Sequence, residues 1–283
     1  MSKLKRIIKS CWDRYWNQVS NSLRVTSKTL HHRNDDEIEL KARLGNPLYL
    51  ERFGFKVFSQ SDEDGIIEEI FNRINTTNRT FVEFGVGNGI ECNTHFLLHK
   101  GWSGLWIEGN RKEVNEIRKL FKKPFDAKRL IALNSFITKD NINELINIEG
   151  QIGGEIDLLS IDIDGNDYWV WEAIQCINPR VVVIEYNGKF PPNCEWVMEY
   201  DTKHGWCGDD NHGASLKSYE LLGARLGYQL VGTGVMGINS FFVRKDLTHD
   251  LFVIPATAEK LYNPTRWTKQ YVSGHPSRKY IGI

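Results

Sequence analysis

The chain has 283 residues, of which 41% are hydrophobic and 25% charged, a composition that allows a sizeable buried core and argues against disorder. Its 36 basic residues balance 36 acidic ones, and a formal net charge of zero argues against a general nucleic-acid binder. No apolar run approaches the roughly 20 residues that a membrane-spanning helix needs, and the first residues lack the apolar core of a signal peptide.

The first segment, residues 1–33, is basic, with eight Lys and Arg side chains opposed only by Asp13. Its apolar residues recur every three or four positions, which predicts an amphipathic helix. Such a helix could bind a membrane surface or a partner, or it could pack on its own domain. With a short helix and connector predicted to follow, residues 1–52 form an N-terminal arm.

The pattern becomes regular after residue 52. Residues 61–71 resemble a capped amphipathic helix. Short apolar runs then alternate with helical stretches, which predicts βαβ units and a parallel sheet covered on both faces. The predicted strands are residues 80–84, 104–108, 129–133, 156–161 and 181–184, and the helices between them are residues 92–100, 111–121, 141–147 and 168–175.

The end of the chain breaks this alternation. A helix at residues 215–226 is followed by strands at 228–231 and 238–244, joined by a few residues rich in glycine. So short a connection cannot make a parallel crossover, so these strands are predicted to form an antiparallel hairpin. The predicted fold is therefore α/β: a doubly wound, mostly parallel sheet closed by an antiparallel C-terminal hairpin. It spans residues 53–247, and residues 248–283 are predicted to pack on it as a tail.

A glycine-rich loop follows the first predicted strand, in the sequence Glu-Phe-Gly-Val-Gly-Asn-Gly at residues 83–89. Glycines let the backbone pass close to a ligand and turn sharply into the next helix. The spacing is GxGxG, whereas a dinucleotide fingerprint reads GxGxxG. The second strand ends in Glu108, about twenty residues on, where a carboxylate can accept hydrogen bonds from a ribose diol. Together, these features predict a nucleoside-type cofactor.

These features resemble the class I S-adenosylmethionine-dependent methyltransferases, and within them the FkbM-like group, which methylates hydroxyls of sugars and related natural products. The matching stretches are FSQSDEDGIIEEIF (58–71), FVEFGVGNGIECNT (81–94), LLSIDIDGNDYWVWEAI (158–174), VVVIEYN (181–187) and GYQLVGTGVMGINSFFVR (227–244). The resemblance implies S-adenosylmethionine as the cofactor. It implies that the glycine loop holds the methionine part, that Glu108 holds the ribose, that Asn134 and Ser135 lie near the adenine, and that Ser59 and Gln60 approach the carboxylate end. The cofactor-binding candidates are Gln60, Glu83, Gly85, Gly87, Asn88, Gly89, Glu108, Asn134 and Ser135.

Methyl transfer to a hydroxyl near pH 7 needs a general base or a metal ion, because a sugar hydroxyl is a poor nucleophile. The fourth strand is followed by Asp162 and Asp164, and the fifth ends in Glu185 with Asn187 close behind. Oxygen ligands from adjacent strand ends suit Mg²⁺ or Mn²⁺, so Asp162, Glu185 and Asn187 are a candidate metal site. Tyr186 splits the last pair, which departs from the acid–Asn and acid–acid pairs of metal-dependent O-methyltransferases. Asp164 and Asp167 could instead cap the turn and the helix.

The long segment 186–214 is rich in aromatic and polar residues, a combination that suits a carbohydrate acceptor, and long loops often bind ligands. His212 in this loop joins Asp162, Asp164 and Glu185 as a catalytic candidate, and without a metal Asp162, Glu185 or His212 would serve as base. Arg266 and Trp267 of the tail could add walls to the same pocket. A zinc site made of Cys194, His204, Cys207 and His212 matches no compact spacing.

The sequence therefore predicts an S-adenosylmethionine-dependent O-methyltransferase acting on a sugar or glycan. The alternatives are a nicotinamide-dependent sugar oxidoreductase and a non-catalytic scaffold that retains the fold. The five cysteines are scattered without CxxC spacing, which fits free thiols and predicts a cytoplasmic protein, with peripheral membrane contact through the arm as an option. The acceptor, the hydroxyl methylated and the oligomeric state stay open.

Overall fold

A computed structural model of the protein describes residues 38–147, 152–206, 208 and 210–266. The chain divides into two compact units, Met1–Pro47 and Leu48–Ile283. In the first unit, residues 38–45 are helical, and the predicted amphipathic arm at residues 1–33 lies outside the described residues. Within the described ranges, no helix combines the length and the apolar character needed to cross a bilayer.

The second unit is built on a seven-stranded sheet with the order β3-β2-β1-β4-β5-β7-β6. The first five strands are parallel neighbours, whereas β7 runs antiparallel to both β5 and β6. The strands are β1 (Thr80–Phe84), β2 (Ser103–Glu108), β3 (Leu130–Asn134), β4 (Gly154–Ile161), β5 (Ile177–Glu185), β6 (Tyr228–Thr233) and β7 (Asn239–Arg244). The predicted α/β fold, with its parallel sheet and antiparallel closing hairpin, is confirmed.

The helices connect the strands in the predicted order. They are α1 (Glu63–Ile74), α2 (His95–His99), α3 (Arg111–Leu120), α4 (Lys122–Asp126), α5 (Ile142–Ile146), α6 (Asp167–Ala173), α7 (Leu216–Leu226) and α8 (Ala258–Leu261). Short 3-10 helices lie at Leu50–Phe53 and Lys245–Leu247. Helix α3 is capped by the Asn110 side chain, which accepts from the Lys112 N–H, and α7 ends at Gly227 in the left-handed conformation.

Alternating side chains along the strands bury both faces of the sheet. Val182 and Ile184 of β5 pack into one apolar cluster with α6 and α7, whereas Val181 and Val183 pack into another with α1 and α2. Because successive side chains of a strand point to opposite faces, a continuous apolar run marks a strand covered on both sides.

The order of the strands fixes where a ligand can bind. The chain runs from β1 outward to β2 and β3, then returns to place β4 on the other side of β1. Ligands of open α/β sheets bind beyond the carboxyl ends of the strands at such a reversal. The loops that follow β1 and β4 therefore meet at the expected binding edge.

Candidate functional site

Two cavities open at the carboxyl edge of the sheet and share part of their walls. The first has a volume of about 300 Å³, and the second of about 560 Å³. The residues common to both are Gly85, Asp162 and Asp164. The loop after β1 and the loop after β4 therefore form the boundary at which the two cavities meet.

Gly85 makes this close approach of the two loops possible. Its φ is +69°, and a Cβ atom at this position would lie 1.6 Å from the carbonyl oxygen of Asp162. Its N–H donates to the Ile107 carbonyl of β2, 3.0 Å away. Only glycine combines the left-handed conformation with room for the β4 backbone.

Glu108, at the end of β2, joins two loops around the first cavity. Its carboxylate accepts from the Gly87 N–H at 2.9 Å and from the Asn110 N–H at 2.7 Å. The Asn134 amide donates to the Glu108 and Gly109 carbonyl oxygens, both at 2.9 Å. Gly87, Glu108 and Ser135 line the cavity, whereas Asn134 braces the strand end behind it.

Other predicted cofactor residues support the glycine loop from outside the first cavity. Gly89 is buried against the Trp106 ring, which a Cβ atom would approach to 2.6 Å. The exposed-side Asn88 donates to Glu116 at 3.3 Å and accepts from the Ile90 N–H at 3.1 Å. Gln60 lines the second cavity.

Glu83 lies buried beneath the glycine loop. Its Oε1 accepts from the Asn93 N–H at 2.8 Å and from the Ser160 hydroxyl at 3.2 Å. Its Oε2 accepts from the N–H and the hydroxyl of Thr94, at 3.0 and 2.5 Å. Burial raises the pKa of Glu83, and the hydrogen bonds from Thr94 and Asn93 oppose that rise. Both carboxylate oxygens are thus engaged in holding the chain that follows the loop.

Three carboxylates gather where the cavities meet. Asp162, Asp164 and Glu185 each place an oxygen within 4.8 Å of the other two. Burial, followed by the negative charge of Asp164, raises the pKa of Asp162 well above its usual range. The pKa of Glu185 is raised well above its usual range by burial and next by Asp162. Desolvation and like charge both favour the protonated form of a carboxyl group.

The carboxylate of Asp167 sets the conformation of the loop after β4. It accepts from the N–H groups of Ile163 and Gly165, each at 2.8 Å. Between them Asp164 adopts a φ of +53°, which is uncommon for a residue with a side chain. Of the two residues predicted to cap this region, Asp167 thus holds the turn, while Asp164 is exposed at the cavity boundary.

The second cavity brings together Glu185, Asn187 and His212 from β5 and the long loop. His212 Nδ1 lies 3.8 Å from Glu185 Oε2. The Asn187 amide donates to the Asp210 and His212 carbonyls, at 2.9 and 3.3 Å, and its Oδ1 accepts from the Lys189 N–H at 3.4 Å. Asn187, predicted as the third metal ligand, thus holds the loop in place. The third residue of the acidic cluster is Asp164.

Several cavity residues were not identified from the sequence. Phe136 and Asn166 line the first cavity, as does His204, and Lys189 lines the second. Phe136 lies three residues after the predicted strand 129–133, close to the binding edge of the sheet, and this position could have indicated it. The structure shows it 54% exposed. His204 comes from the long loop, and no local pattern indicates where that loop returns to the sheet.

Among the described residues, the cluster of Asp162, Asp164 and Glu185 is the one group of acidic, His or Cys side chains close enough to share a metal ion. Of the four residues considered for zinc, Cys207 lies outside the described residues. Cys92, Cys176 and Cys194 are free thiols. Arg266 is buried and contacts the β6–β7 turn, with its guanidinium donating to the Val235 carbonyl, while Trp267 is outside the described residues.

No protein-family model matches this sequence, and no curated protein matches it. Solved structures with a similar fold include an O-methyltransferase from Bacillus cereus in complex with S-adenosylhomocysteine, at 16% identity, with 73% of this chain and 88% of that chain covered and a TM-score of 0.42. TrmK of M. capricolum, in complex with the same cofactor product, is 14% identical over 63% of this chain and 67% of that chain, with a TM-score of 0.39.

A glycopeptide N-methyltransferase complexed with sinefungin is 12% identical over 62% of this chain and 84% of that chain, with a TM-score of 0.38. These structure neighbours are S-adenosylmethionine-dependent methyltransferases, and the likeness concerns the fold. This chain has an α/β fold with a seven-stranded, mostly parallel sheet and antiparallel C-terminal strands. The FkbM-like assignment stays a prediction.

Proposed function

We propose that the protein is an S-adenosylmethionine-dependent O-methyltransferase that acts on a hydroxyl of a sugar or glycan, as FkbM-like enzymes do. The observation that carries the proposal is the shared wall of Gly85, Asp162 and Asp164 between the two cavities. Group transfer needs a donor and an acceptor held in contact with their reacting atoms aligned. Two cavities that meet at one wall satisfy that requirement.

The first cavity suits the donor. A Cβ atom at Gly87 would meet nothing within 4 Å, so the backbone faces open space there, and its N–H is already held by Glu108. The Glu108 carboxylate lies at the rim, where it can accept from a ribose diol. Phe136, exposed at the far side, offers an aromatic face for a nucleobase. When bound, S-adenosylmethionine supplies an electrophilic methyl group.

In this transfer the acceptor oxygen would bond to the methyl carbon as the bond between that carbon and the donor's sulfur breaks, which leaves S-adenosylhomocysteine. The hydroxyl would lose its proton to a base in the same step. Asp162 is suited to take that proton because it lines both cavities and its pKa is raised well above the usual carboxyl range by burial. General bases work best when their pKa approaches the operating pH. Glu185, beside His212, is the second candidate on the acceptor side.

The second cavity suits a carbohydrate. Trp206 lines it and is 55% exposed, so an aromatic face is available to the C–H face of a sugar ring. The side chains of Gln60 and His212 and the clustered carboxylates line the same cavity, where they can bond hydroxyl groups. Such a mixture of one aromatic surface and several hydrogen-bonding groups is what a polyhydroxylated acceptor needs.

A divalent cation is a further component of the proposal. Hard oxygen ligands suit Mg²⁺ and Mn²⁺, and Asp162, Asp164 and Glu185 would hold the ion. The donor set fits, since burial and next like-charge repulsion raise the pKa of Asp162 and Glu185, and a cation between them would offset the repulsion. In that case the ion would lower the pKa of the acceptor hydroxyl.

Calorimetric titration with S-adenosylhomocysteine tests the donor site. The protein is expected to bind it, and Gly87→Leu is expected to abolish binding because the side chain would fill the cavity. Gly101→Leu is the matched control, because Gly101 also has a positive φ (+85° against +55°) and open space around its Cβ position. Failure of the unsubstituted protein to bind, or binding of a nicotinamide dinucleotide instead, contradicts the proposal.

A methyl-transfer assay on nucleotide sugars and glycans tests the acceptor class, with and without EDTA. Transfer that survives EDTA assigns activation of the hydroxyl to the carboxylates alone, and transfer restored by Mg²⁺ or Mn²⁺ assigns it to the ion. Tight donor binding without transfer to any acceptor would instead point to the non-catalytic scaffold.

A further inference from the structure

The long loop after β5 contributes one side chain to the first cavity, on the donor side of the site. His204 lines that cavity together with Asp164 and Asn166 of the loop after β4. It lies 40 residues from Asp164 in the sequence, yet its Nε2 is 3.1 Å from the Asp164 carbonyl oxygen. The ring therefore bridges two loops at the cavity wall.

Three further contacts hold this part of the loop in place. The Asn166 amide donates to the Asp201 carbonyl at 2.7 Å, and the Asp201 N–H donates back to Asn166 Oδ1 at 3.2 Å. The His204 N–H then donates to the Asp201 carbonyl at 3.1 Å, which closes a turn. A reciprocal side-chain and backbone pair of this kind fixes both position and orientation.

The ring lies directly against Gly165. A Cβ atom at Gly165 would be 2.3 Å from His204 Cδ2 and 3.0 Å from its Nε2, and the three nearest atoms all belong to this ring. Gly165 does not have a positive φ, so alanine suits its backbone, and the obstacle is the imidazole alone. Because the ring is tied at Asp164 and at the turn, it cannot yield without leaving the cavity wall.

From this geometry we infer that the His204 ring forms part of the wall of the donor cavity and contacts the bound cofactor. Donor affinity then depends on the packing of this ring against Gly165. The inference rests on the proposed function. His204 is thus a binding residue supplied by the loop that also carries Trp206 into the acceptor cavity. The Asn166–Asp201 pair acts as the positioning element beneath it.

A double-mutant cycle on the full chain tests the inference, with calorimetric binding of S-adenosylhomocysteine as the readout. His204→Ala is expected to weaken binding about tenfold by removing a buried contact surface. Gly165→Ala is expected to weaken it at least as much, by expelling the ring. The two effects should not add, because alanine at 165 has nothing left to expel once the ring is gone. The double variant should therefore bind like His204→Ala.

Matched controls separate the ring from the backbone. Gly205→Ala adds the same methyl group beside His204, but meets nothing within 4 Å, and it should bind like the unsubstituted protein. His204→Phe loses the bond to the Asp164 carbonyl but keeps a flat ring on Gly165, so it should bind more tightly than His204→Ala, even if Gly165→Ala fails to fold. Melting temperatures of the His204 variants should change little, because the ring lies at a cavity wall.

The outcomes distinguish the two proposals. If the unsubstituted protein fails to bind S-adenosylhomocysteine, the proposed function fails, and the role of His204 in cofactor binding fails with it. If it binds and His204→Ala binds equally well, the role of His204 in cofactor binding is overturned and the proposed function stands. Additive losses in the double variant, or equal losses in His204→Ala and His204→Phe, likewise overturn the role of the ring.

Discussion

Thr94 donates both its backbone N–H and its hydroxyl to one oxygen of the buried Glu83 carboxylate, at 3.0 and 2.5 Å. Glu83 belongs to β1 and Thr94 directly precedes α2, so their hydrogen bonds connect the two ends of the glycine loop. The Thr94 hydroxyl also accepts from the Trp106 indole at 2.7 Å. The Glu83 carboxylate, both of whose oxygens accept hydrogen bonds, thus stabilises the glycine loop.

Glu83→Gln is expected to lower the free energy of unfolding by about 3 kcal/mol, because an amide NH₂ group would face donors in a buried site. Affinity for S-adenosylhomocysteine should fall as well, since the loop loses its support. Thermal and urea unfolding measure the first effect and calorimetry the second. Glu91→Gln, an exposed acid of the same loop, is the control and should change stability little. Equal stability of the two variants would contradict the role of Glu83.

Gly85→Ala is expected to be severely destabilising, because its Cβ atom would lie 1.6 Å from the Asp162 carbonyl oxygen. Gly87→Ala adds the same atom at a similar positive φ but in open space, so it should cost only the left-handed strain, about 1 kcal/mol. Chemical denaturation of the two variants gives the comparison. A Gly85→Ala protein as stable as Gly87→Ala would show that the loops after β1 and β4 separate easily.

Asp162→Asn is expected to slow methyl transfer by 100-fold or more, the order expected for losing a general base. The same change should raise the melting temperature at alkaline pH, because it removes a carboxyl group whose charged form is disfavoured by burial and next by Asp164. Transfer by the unsubstituted protein should rise with pH, since a base of raised pKa ionises late. Asp126→Asn, on an exposed acid, is the control for both measurements. A transfer rate that does not change with pH in the unsubstituted protein would show that Asp162 is not the general base.

Asp62 makes stability depend on pH. Its carboxylate accepts from the Val235 N–H of the β6–β7 turn at 2.9 Å, and burial, followed by the charge of Glu63, raises its pKa from 3.8 to about 6. In the pH range between these values, the folded protein holds a proton that the unfolded chain releases. The contribution of Asp62 to stability is therefore present below pH 4 and is lost as the pH rises through 6.

Asp62→Asn should consequently gain stability over the unsubstituted protein as the pH is raised from 4 to 7, by about 2 kcal/mol after discounting for partial exposure. Urea unfolding across that range measures the difference between the two proteins. Asp250→Asn, at an exposed position, should show a constant difference. A gap that shrinks with increasing pH would mean that the Asp62 carboxylate is stabilised in its charged form.

The sequence predicts the sheet well because its strands are buried on both faces. Runs such as residues 181–184 are apolar throughout, and β1 has its predicted bounds, residues 80–84. β5 begins at Ile177, four residues before its prediction. Asn178, Pro179 and Arg180 interrupt the apolar run, although Asn178 and Pro179 still pair with β4. α2 begins at His95 rather than residue 92, since the N–H groups of Asn93 and Thr94 go to Glu83 instead of a helix.

The candidate site was predicted where its residues follow strand ends, because the topology alone brings these ends together. Asp162, Glu185 and Glu108 are of this kind. His204 was considered only with the long loop and for zinc, and its place at the first cavity was not predicted, because it depends on how a long irregular loop folds back. Nor does glycine spacing distinguish Gly87, which faces the cavity, from Gly89, which packs on Trp106.

Because a single wall bounds both cavities, their occupants would be near neighbours. A compound that joins an adenosine portion to a sugar through a short tether should gain affinity over either half, since tethering raises the effective concentration of the second half at its own cavity. A bisubstrate inhibitor of this kind would bind across the boundary formed by Gly85, Asp162 and Asp164. Its tether would lie where the methyl group passes from donor to acceptor.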